Sequence, residues 1–240
     1  MTRLFVPRDT TACSLGADSV AASLQQAIEQ QQLPLEIVRN GSRGMYWLEP
    51  LIELDTDQGR IGFGPVTRDK VGEFITSRFW EHNAEHPLYL GPTEDIPYLK
   101  NQQRVTFARV GLINPLSLKD YRLHNGFKGL QAALNMPAQD IVTCITDSGL
   151  RGRGGAAFPT GIKWQTVLDT PSDKKYVVCN ADEGDSGTFS DRMLMESDPF
   201  SLIEGMVIAG LAVGAELGYI YLREEYPLTK QIFEQAIEIA

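Results

Sequence analysis

The chain has 240 residues, of which 42% are hydrophobic and 22% are charged, and its formal net charge is −9. This composition is typical of a globular protein and excludes an intrinsically disordered chain. A net negative charge gives no general attraction for nucleic acid or anionic lipid, so we expect neither nucleic acid nor a membrane as a partner.

The three cysteines, Cys13, Cys144 and Cys179, stand far apart in the chain. None belongs to a CxxC pair or to a Cys/His pair at metal-ligand spacing, so no metal site is expected. Reduced thiols, and an N-terminus without the apolar run of a signal peptide, predict a cytoplasmic protein. We expect Cys13 and Cys144 to be core residues.

Residues 1–85 have the pattern of a small α/β domain. A short apolar strand, Leu4-Phe5-Val6, precedes DSVAASLQQAIEQQQ, whose apolar residues recur at helical spacing. LEIVRNG, WLEPLIELDT and RIGFGPV then indicate strands separated by turns, and a second amphipathic helix is predicted near DKVGEFITSRFW. This order of elements predicts a thioredoxin-like domain.

Residues 86–104 carry three prolines and no sustained period, which predicts a linker. Two helices are then predicted in SLKDYRLHNGFKGLQAALNM and PAQDIVTCITDSGL, the second starting at Pro137. Further on, KYVVCN, SDPFSLIEGMVIAGLAVGAELG, YIYLREE and PLTKQIFEQAIEIA indicate strand, helix, strand and helix, and hence a parallel α/β unit within residues 105–240. The last helix has no C-cap, which indicates the front part of a longer protein.

The stretch SGLRGRGGAAFPTGIKW, residues 148–164, contains five glycines. It fails the Walker pattern, and its match to GxGxxG/A at Gly152, Gly154 and Ala157 lacks the preceding strand that a dinucleotide fingerprint requires. Backbone N–H groups without side chains can still form an anion-binding concavity, to which Arg153 and Lys163 would add charge. A tight connection without a ligand is the alternative reading.

A second candidate site is CNADEGDSGTFSDR, residues 179–192, which places Asp182, Glu183 and Asp185 directly after a predicted strand. Three acids so close repel one another unless polar groups pair with them. Ribose or ring hydroxyls and N–H groups are natural partners, a divalent metal is a rival, and a solvated turn is the simplest alternative. Together the two segments predict a nucleotide-like ligand.

The motifs GLRGRGGAAFPTGIKW, CNADEGDSGTF, DPFSLIEGM and GYIYLREEYP closely resemble the flavin-carrying subunit of respiratory complex I and its soluble relatives, over residues 145–240. The N-terminal segments FVPRDTTACSLGADSVA, IVRNGSRGMYWLEPLIEL and LKNQQRVTFARVGLINPLSLKDY look like the beta subunits of soluble NAD-dependent formate dehydrogenases. The resemblance implies an α/β protein whose thioredoxin-like domain (1–85) is followed by the start of a Rossmann-like FMN-binding α/β domain (105–240).

The resemblance also implies two cofactors, FMN and NAD. The residues that it assigns to FMN are Gly152, Arg153, Gly154, Gly155, Lys163, Asn180, Asp182 and Glu183. It assigns Phe158 and Asp185 to NAD, with Phe158 stacking on a ring of the dinucleotide. Asp185 stands where relatives often have glutamate, and Thr166 replaces a second aromatic residue.

The implied activity is that of a diaphorase, which moves a hydride between NAD(H) and FMN and passes electrons to iron–sulfur clusters, with no catalytic side chain separable from cofactor binding. The implied partners are an iron–sulfur gamma-type subunit and a molybdenum-containing alpha subunit of a formate dehydrogenase. A 4Fe-4S cluster is expected only in a later segment. Because Cys13 is the sole cysteine before Cys144, the thioredoxin-like domain cannot hold a 2Fe-2S cluster on four cysteines, and a structural or docking role is expected.

Two alternatives remain at this point. One is the equivalent subunit of complex I or of an NAD-reducing hydrogenase. The other is a non-catalytic scaffold fragment, in which the glycine-rich stretch only serves packing.

Overall fold

The computed structural model describes residues 1–81, 84–185 and 187–240, which form two groups of elements. The first group consists of β1 (Thr2–Pro7), α1 (Thr10–Ser14), α2 (Ala17–Gln31), β2 (Leu35–Asn40), β3 (Ile52–Thr56), β4 (Gly59–Phe63), α3 (Val71–Thr76), β5 (Tyr89–Pro92) and α4 (Pro97–Lys100). The second consists of α5 (Leu118–Leu123), α6 (Lys128–Ala133), α7 (Ala138–Asp147), α8 (Thr160–Asp169), β6 (Tyr176–Ala181), α9 (Ser190–Ser197), α10 (Pro199–Val213), β7 (Leu217–Leu222) and α11 (Pro227–Ile239).

The first group forms one mixed sheet in the order β2-β1-β3-β4-β5. Strands β1 and β2 are parallel and are joined through α2, whereas β3 runs antiparallel to both β1 and β4. A parallel pair joined by a helix, followed by an antiparallel hairpin and a further helix, is the arrangement of a thioredoxin-like fold, so the predicted fold class is confirmed. Helix α2 buries Val20 and Leu24 in the same core as Leu4, Phe63 and Phe74.

The segment predicted as a linker contains a strand. Strand β5 pairs antiparallel with β4 and sets Tyr89 opposite Phe63, with their ring centroids 5.6 Å apart. A four-residue strand is too short to show a period in the sequence, which explains why it was not predicted. Residues 89–92 thus extend the first sheet, while the division of the chain at 85 and 104 stays a prediction.

In the second group, β6 and β7 form a two-stranded parallel sheet, as predicted. The helix predicted from 117 to 136 is instead two helices, α5 and α6, because Asn125 and Phe127 adopt positive φ between them. The buried carboxylate of Glu204 in α10 accepts hydrogen bonds from the backbone N–H groups of Phe127 (2.7 Å) and Leu130 (2.9 Å), and so caps the start of α6. A residue far along the chain therefore determines where this helix begins.

The two groups meet at the ends of β1 and β2. Glu196 of α9 is fully buried and accepts hydrogen bonds from the backbone N–H (2.7 Å) and hydroxyl (2.6 Å) of Thr10, and from the hydroxyl of Thr229 (2.8 Å). Gly41 packs directly on Ser197, since a Cβ atom at Gly41 would lie 2.0 Å from the Ser197 hydroxyl oxygen. These contacts cover the ends of β1 and β2 with residues of α9.

Two more carboxylates are buried near this junction. Asp9 accepts a hydrogen bond from the backbone N–H of Ser42 at 2.9 Å, and burial, followed by the charge of Glu196, raises its pKa. Asp198 pairs with Arg109 at 2.7 Å, yet burial raises its pKa to about 6. These two bonds stabilise the chain on either side of the junction, whereas the buried bonds from Thr10 to Glu196 connect the first group to the second.

Within the described ranges, no helix is long and apolar enough to cross a membrane. All three cysteines are free thiols. Cys13 is partly buried and its thiol donates to the carbonyl of Arg8, but Cys144 is exposed on α7, so the expectation of a core position was wrong for Cys144.

Candidate functional site

The glycine loop, residues 150–160, connects α7 to α8 and closes on itself. The backbone N–H of Gly152 donates to the carbonyl of Phe158, and that of Thr160 donates to Leu150, both at 2.9 Å. Arg151 and Pro159 form an isolated antiparallel bridge between these bonds. The loop therefore has a narrow neck, and a helix rather than a strand precedes it, as the sequence predicted.

The tip of the loop leaves its backbone uncovered. Cβ atoms placed on Gly154 and Gly155 would have no heavy atom within 4 Å, and Gly155 has a φ of +100° that a side chain would strain. Ala157 also has a positive φ, and the side chain of Arg151 donates to its carbonyl at 3.0 Å. The exposed main-chain amides and open space fit a phosphate-bearing ligand such as FMN.

Lys163 lies beside this tract. It stands in the first turn of α8, and its ammonium nitrogen is 3.2 Å from the position that a Cβ of Gly152 would take. Helix α8 is held against α7 because Gly161 packs on Thr146, where a Cβ would lie 2.2 Å from the threonine hydroxyl oxygen. Sequence reasoning placed Lys163 and Gly152 in one site, and the structure brings them together.

Arg153 reaches a cleft of about 640 Å³ between the two groups of elements. The cleft is lined on the second group by Arg153, Ser190 and Asp191, on the first group by Arg43, and also by Arg104 of the segment after α4. Arg43 is paired with Glu53 and Glu94, and a carboxylate caps the start of α9. This side of the glycine loop therefore presents both signs of charge, with Arg153 and Asp191 facing the same cleft.

The acidic loop, residues 182–189, follows β6. The side-chain oxygen of Asn180 accepts the backbone N–H of Asp182 at 3.1 Å, which turns the chain at the strand end. Asn180 and Asp182, with Val178 and Tyr221, line an open recess of about 350 Å³. Ser186 of this loop lies outside the described residues. Asn180 and Asp182 are thus brought together where a parallel sheet usually presents its ligand.

Glu183 behaves differently from its neighbours. Its carboxylate accepts the backbone N–H groups of Asp191 (2.7 Å) and Arg192 (3.0 Å), the Tyr226 hydroxyl (3.0 Å) and, more distantly, the Ser190 hydroxyl (3.4 Å). These bonds cap the first turn of α9. Its predicted contact with FMN stays a prediction, and the observed contacts are all with protein.

Phe158 and Asp185 line neither the cleft nor the recess. The Phe158 ring is 49% exposed at the neck of the glycine loop, where a planar ring could stack on it, and Asp185 is exposed. Thr166 is exposed one turn along α8 from Lys163. Among the described residues, no group of three His, Cys, Asp or Glu side chains could hold a metal ion.

Sequence reasoning did not single out Arg223 and Tyr226. Arg223 donates to the carbonyl of Glu183 at 2.6 Å, and Tyr226 donates to its carboxylate. The only signal for them was the segment LREEYP, which was quoted as part of a resemblance but not interpreted residue by residue.

Comparison with known proteins bears mainly on the second group. Residues 145–240 match the family model of the Nuo51 FMN-binding domain. The NADP-reducing hydrogenase subunit HndC of Solidesulfovibrio fructosivorans is 48% identical over 141 residues, which make up 59% of this chain and 29% of that protein. An NADH-quinone oxidoreductase subunit of Aquifex aeolicus is 47% identical over 124 residues, which make up 52% of this chain and 29% of that protein. The chain thus spans less than a third of the length of these relatives.

Among solved structures, an NAD+-reducing [NiFe]-hydrogenase in the air-oxidized state aligns with all of this chain and 40% of its own chain, at 23% identity and a TM-score of 0.45. The strand order of the first sheet, and not this TM-score, identifies the thioredoxin-like fold. The matched model is that of an FMN-binding domain, which confirms FMN as the expected cofactor. One of the matched relatives is named as an NADH-quinone oxidoreductase subunit. None of these relatives bears the name of a formate dehydrogenase.

Proposed function

We propose that this chain belongs to a diaphorase subunit that binds FMN and NAD(H), transfers a hydride between them and exchanges electrons with iron–sulfur clusters of a larger assembly. The observation that carries the proposal is the uncovered backbone at Gly154 and Gly155, with the ammonium of Lys163 beside Gly152. This tract lies inside the segment that matches an FMN-binding domain.

Each predicted residue other than Glu183 has a physical task in this proposal. The amides of residues 153–155 bind the phosphate-bearing end of the flavin, while Arg153 and Lys163 supply positive charge. Gly152 lets the backbone approach closely, and its own amide closes the loop by donating to Phe158. Asn180 and Asp182 hydrogen-bond polar groups of the flavin at the end of β6. Phe158 offers a stacking face to the dinucleotide, and Asp185 contacts it. When bound, FMN supplies the redox chemistry, since it exchanges either two electrons with a nicotinamide or one with a cluster.

The parent assembly has two candidates. The N-terminal segments resemble formate dehydrogenase beta subunits, which favours an assembly with iron–sulfur gamma-type and molybdenum-containing alpha subunits. The named relatives are hydrogenase and NADH-quinone oxidoreductase subunits, and this favours a hydrogenase or a complex I type of assembly more strongly. Subunits that copurify with the protein, and reduction of NAD+ by formate or by hydrogen, decide between them. The proposal includes a cytoplasmic location, which three free cysteines favour.

The test of flavin binding uses a matched pair of glycine variants. Gly155 and Gly59 have φ values of +100° and +106°, and a Cβ at either would meet no atom within 4 Å. Gly155→Val and Gly59→Val therefore impose similar backbone strain, but only the first obstructs the proposed phosphate site. We expect the wild-type protein and Gly59→Val to retain FMN by visible absorbance, and Gly155→Val to lose it.

Two results would count against the proposal. A Gly155→Val protein that is folded and fully yellow would show that the flavin does not approach this backbone. A wild-type holoprotein without flavin absorbance and without NADH–ferricyanide activity would favour the non-catalytic scaffold.

A further inference from the structure

Glu183 connects the two loops that follow the parallel strands. Strands β6 and β7 pair in register from Tyr176 opposite Leu217 to Ala181 opposite Leu222, so their carboxyl ends lie at one edge of the sheet. From the loop after β6, the Glu183 carboxylate accepts the Tyr226 hydroxyl and its carbonyl accepts Arg223 Nη1, both in the segment after β7.

The same carboxylate also fixes α9. Its Oε1 accepts the backbone N–H of Asp191 and its Oε2 accepts that of Arg192, so it satisfies two amides that a helix leaves unpaired at its first turn. One residue thus joins the acidic loop, the segment after β7 and the start of α9. Glu183 has a φ of +42°, which shows that its backbone departs from ordinary geometry to reach this position.

The acceptor capacity of Glu183 is filled by protein groups. An ionised carboxylate has about four lone-pair positions. Four donors occupy them here: two backbone amides, the Tyr226 hydroxyl and the Ser190 hydroxyl. The guanidinium of Arg223 also lies 5.0 Å from the centre of the Tyr226 ring. This cation–π contact holds the two partners of Glu183 against each other.

We propose that Glu183 is a positioning residue that holds Asn180 and Asp182 at the flavin edge by tying the acidic loop to Tyr226, Arg223 and α9. This inference rests on the proposed function for the identity of the ligand. In this role Glu183 makes no contact with the flavin. It acts by fixing the positions of Asn180 and Asp182, which do.

The test uses the FMN-loaded protein with Glu183→Gln, Tyr226→Phe and the double variant. Glu224→Gln is the control, because Glu224 is an exposed acid in the same segment after β7. Replacing a helix-capping acceptor corresponds to about a fivefold change in an equilibrium constant. We expect Glu183→Gln to weaken FMN binding by about fivefold and Tyr226→Phe by less, because Tyr226→Phe removes one of the four donors to the carboxylate. The double variant should be no weaker than Glu183→Gln, because the Tyr226 hydroxyl acts through this carboxylate.

Two further measurements separate positioning from ligation. Hydrogen exchange of the backbone amides of Asp191 and Arg192 is expected to accelerate in Glu183→Gln, with or without FMN, and not in Tyr226→Phe or Glu224→Gln, which leave both amide bonds to the carboxylate in place. The visible absorbance spectrum of the bound flavin is expected to stay the same in all variants, since Glu183 makes no contact with the ring.

Three results would overturn the inference. A changed flavin absorbance spectrum in Glu183→Gln but not in Tyr226→Phe would make Glu183 a direct ligand. Multiplying effects in the double variant would show that the two side chains act separately. Unchanged FMN affinity and amide exchange would show that the tie has no positioning role. If instead the wild-type protein binds no FMN, the proposed function fails, and amide exchange alone still decides whether the tie exists.

Discussion

The described residues form two parallel strand pairs, β1–β2 and β6–β7. The carboxyl end of the first pair is covered by protein, whereas that of the second pair is exposed. At the first pair, Gly41 packs on Ser197 and Glu196 accepts two hydrogen bonds from Thr10, so the edge is sealed by the second group of elements. At the second pair, Asn180 is exposed and Tyr221 is 66% exposed.

The covered end of β1–β2 contributes to stability, whereas the exposed end of β6–β7 is the candidate binding site. The ends of parallel strands are where α/β proteins usually bind ligands. In this chain the β1–β2 edge packs against the second group of elements, and the β6–β7 edge keeps exposed polar groups. The expected structural or docking role of the thioredoxin-like domain stays a prediction. Substitutions at the sealed edge should therefore change stability, and substitutions at the open edge should change binding.

The largest effect is expected at Glu49, in the loop that follows β2. This side chain is only 5% exposed, and burial, followed by the charges of Asp9 and Glu53, raises its pKa from 4.5 to about 8. The folded state thus favours the protonated acid, so its stabilising contribution is full below pH 4.5 and is lost as the pH rises through 8. Relative to Glu49→Gln, wild-type stability should fall by about 1.4 kcal/mol for each pH unit in this window.

Urea denaturation at several pH values measures this difference. Glu36→Gln, which changes an exposed acid of β2, is the control and should keep the wild-type pH dependence. Parallel pH profiles for the wild type and Glu49→Gln would contradict the prediction.

Opening the sealed edge by Gly41→Ala should destabilise the protein by about 3 kcal/mol, the upper range for overpacking. The new Cβ would lie 2.0 Å from the Ser197 hydroxyl oxygen and 2.4 Å from its Cβ. Adding Ser197→Gly removes both clashing atoms and leaves the Ser197 Cα at 3.4 Å, so the double variant should recover most of the loss. Thermal unfolding measures both, and Gly72→Ala, where a Cβ meets nothing within 4 Å, is the control. Equal losses in the single and double variants would rule out the clash as the cause.

At the open edge, Lys163→Met should weaken FMN binding by about thirtyfold, which corresponds to about 2 kcal/mol for a charge-assisted hydrogen bond. Unfolding free energy should stay within about 0.5 kcal/mol of the wild type, because Lys163 is exposed. Fluorescence titration with FMN measures the affinity, with Lys174→Met, another exposed lysine of the second group, as control. Equal weakening by both variants would point to net charge and not to this site.

The smallest effect is expected for Phe158→Leu. An aromatic stack is worth about 1 kcal/mol, so the affinity for NADH should fall about fivefold. FMN content and unfolding free energy should not change, since the ring is 49% exposed. A parallel loss of FMN would show that Phe158 serves the flavin and not the dinucleotide.

The elements of the second sheet were predictable because their signals are local. Strands β6 and β7 are apolar runs, and Pro227 stands at the first position of α11, where its missing N–H does no harm. The glycine loop was also predictable as an exposed tract, since backbone freedom is a property of the residues themselves.

Contacts between distant residues were not predictable in this way. The break between α5 and α6 depends on Glu204, which is 77 positions from Phe127. The engagement of Glu183 depends on Tyr226, 43 positions away. A sequence pattern shows which side chains could bind a cofactor, whereas only the fold shows which of them are already occupied.

The narrow neck of the glycine loop has a consequence for protein engineering. Because the bonds between Gly152 and Phe158 and between Thr160 and Leu150 close the loop at its base, the segment in between can be exchanged as a cassette. The α7–α8 hairpin beneath it is held separately, by Gly161 against Thr146. Libraries of altered tips could therefore be grafted onto this hairpin to test which tip residues bind the proposed coenzyme, without redesigning the scaffold.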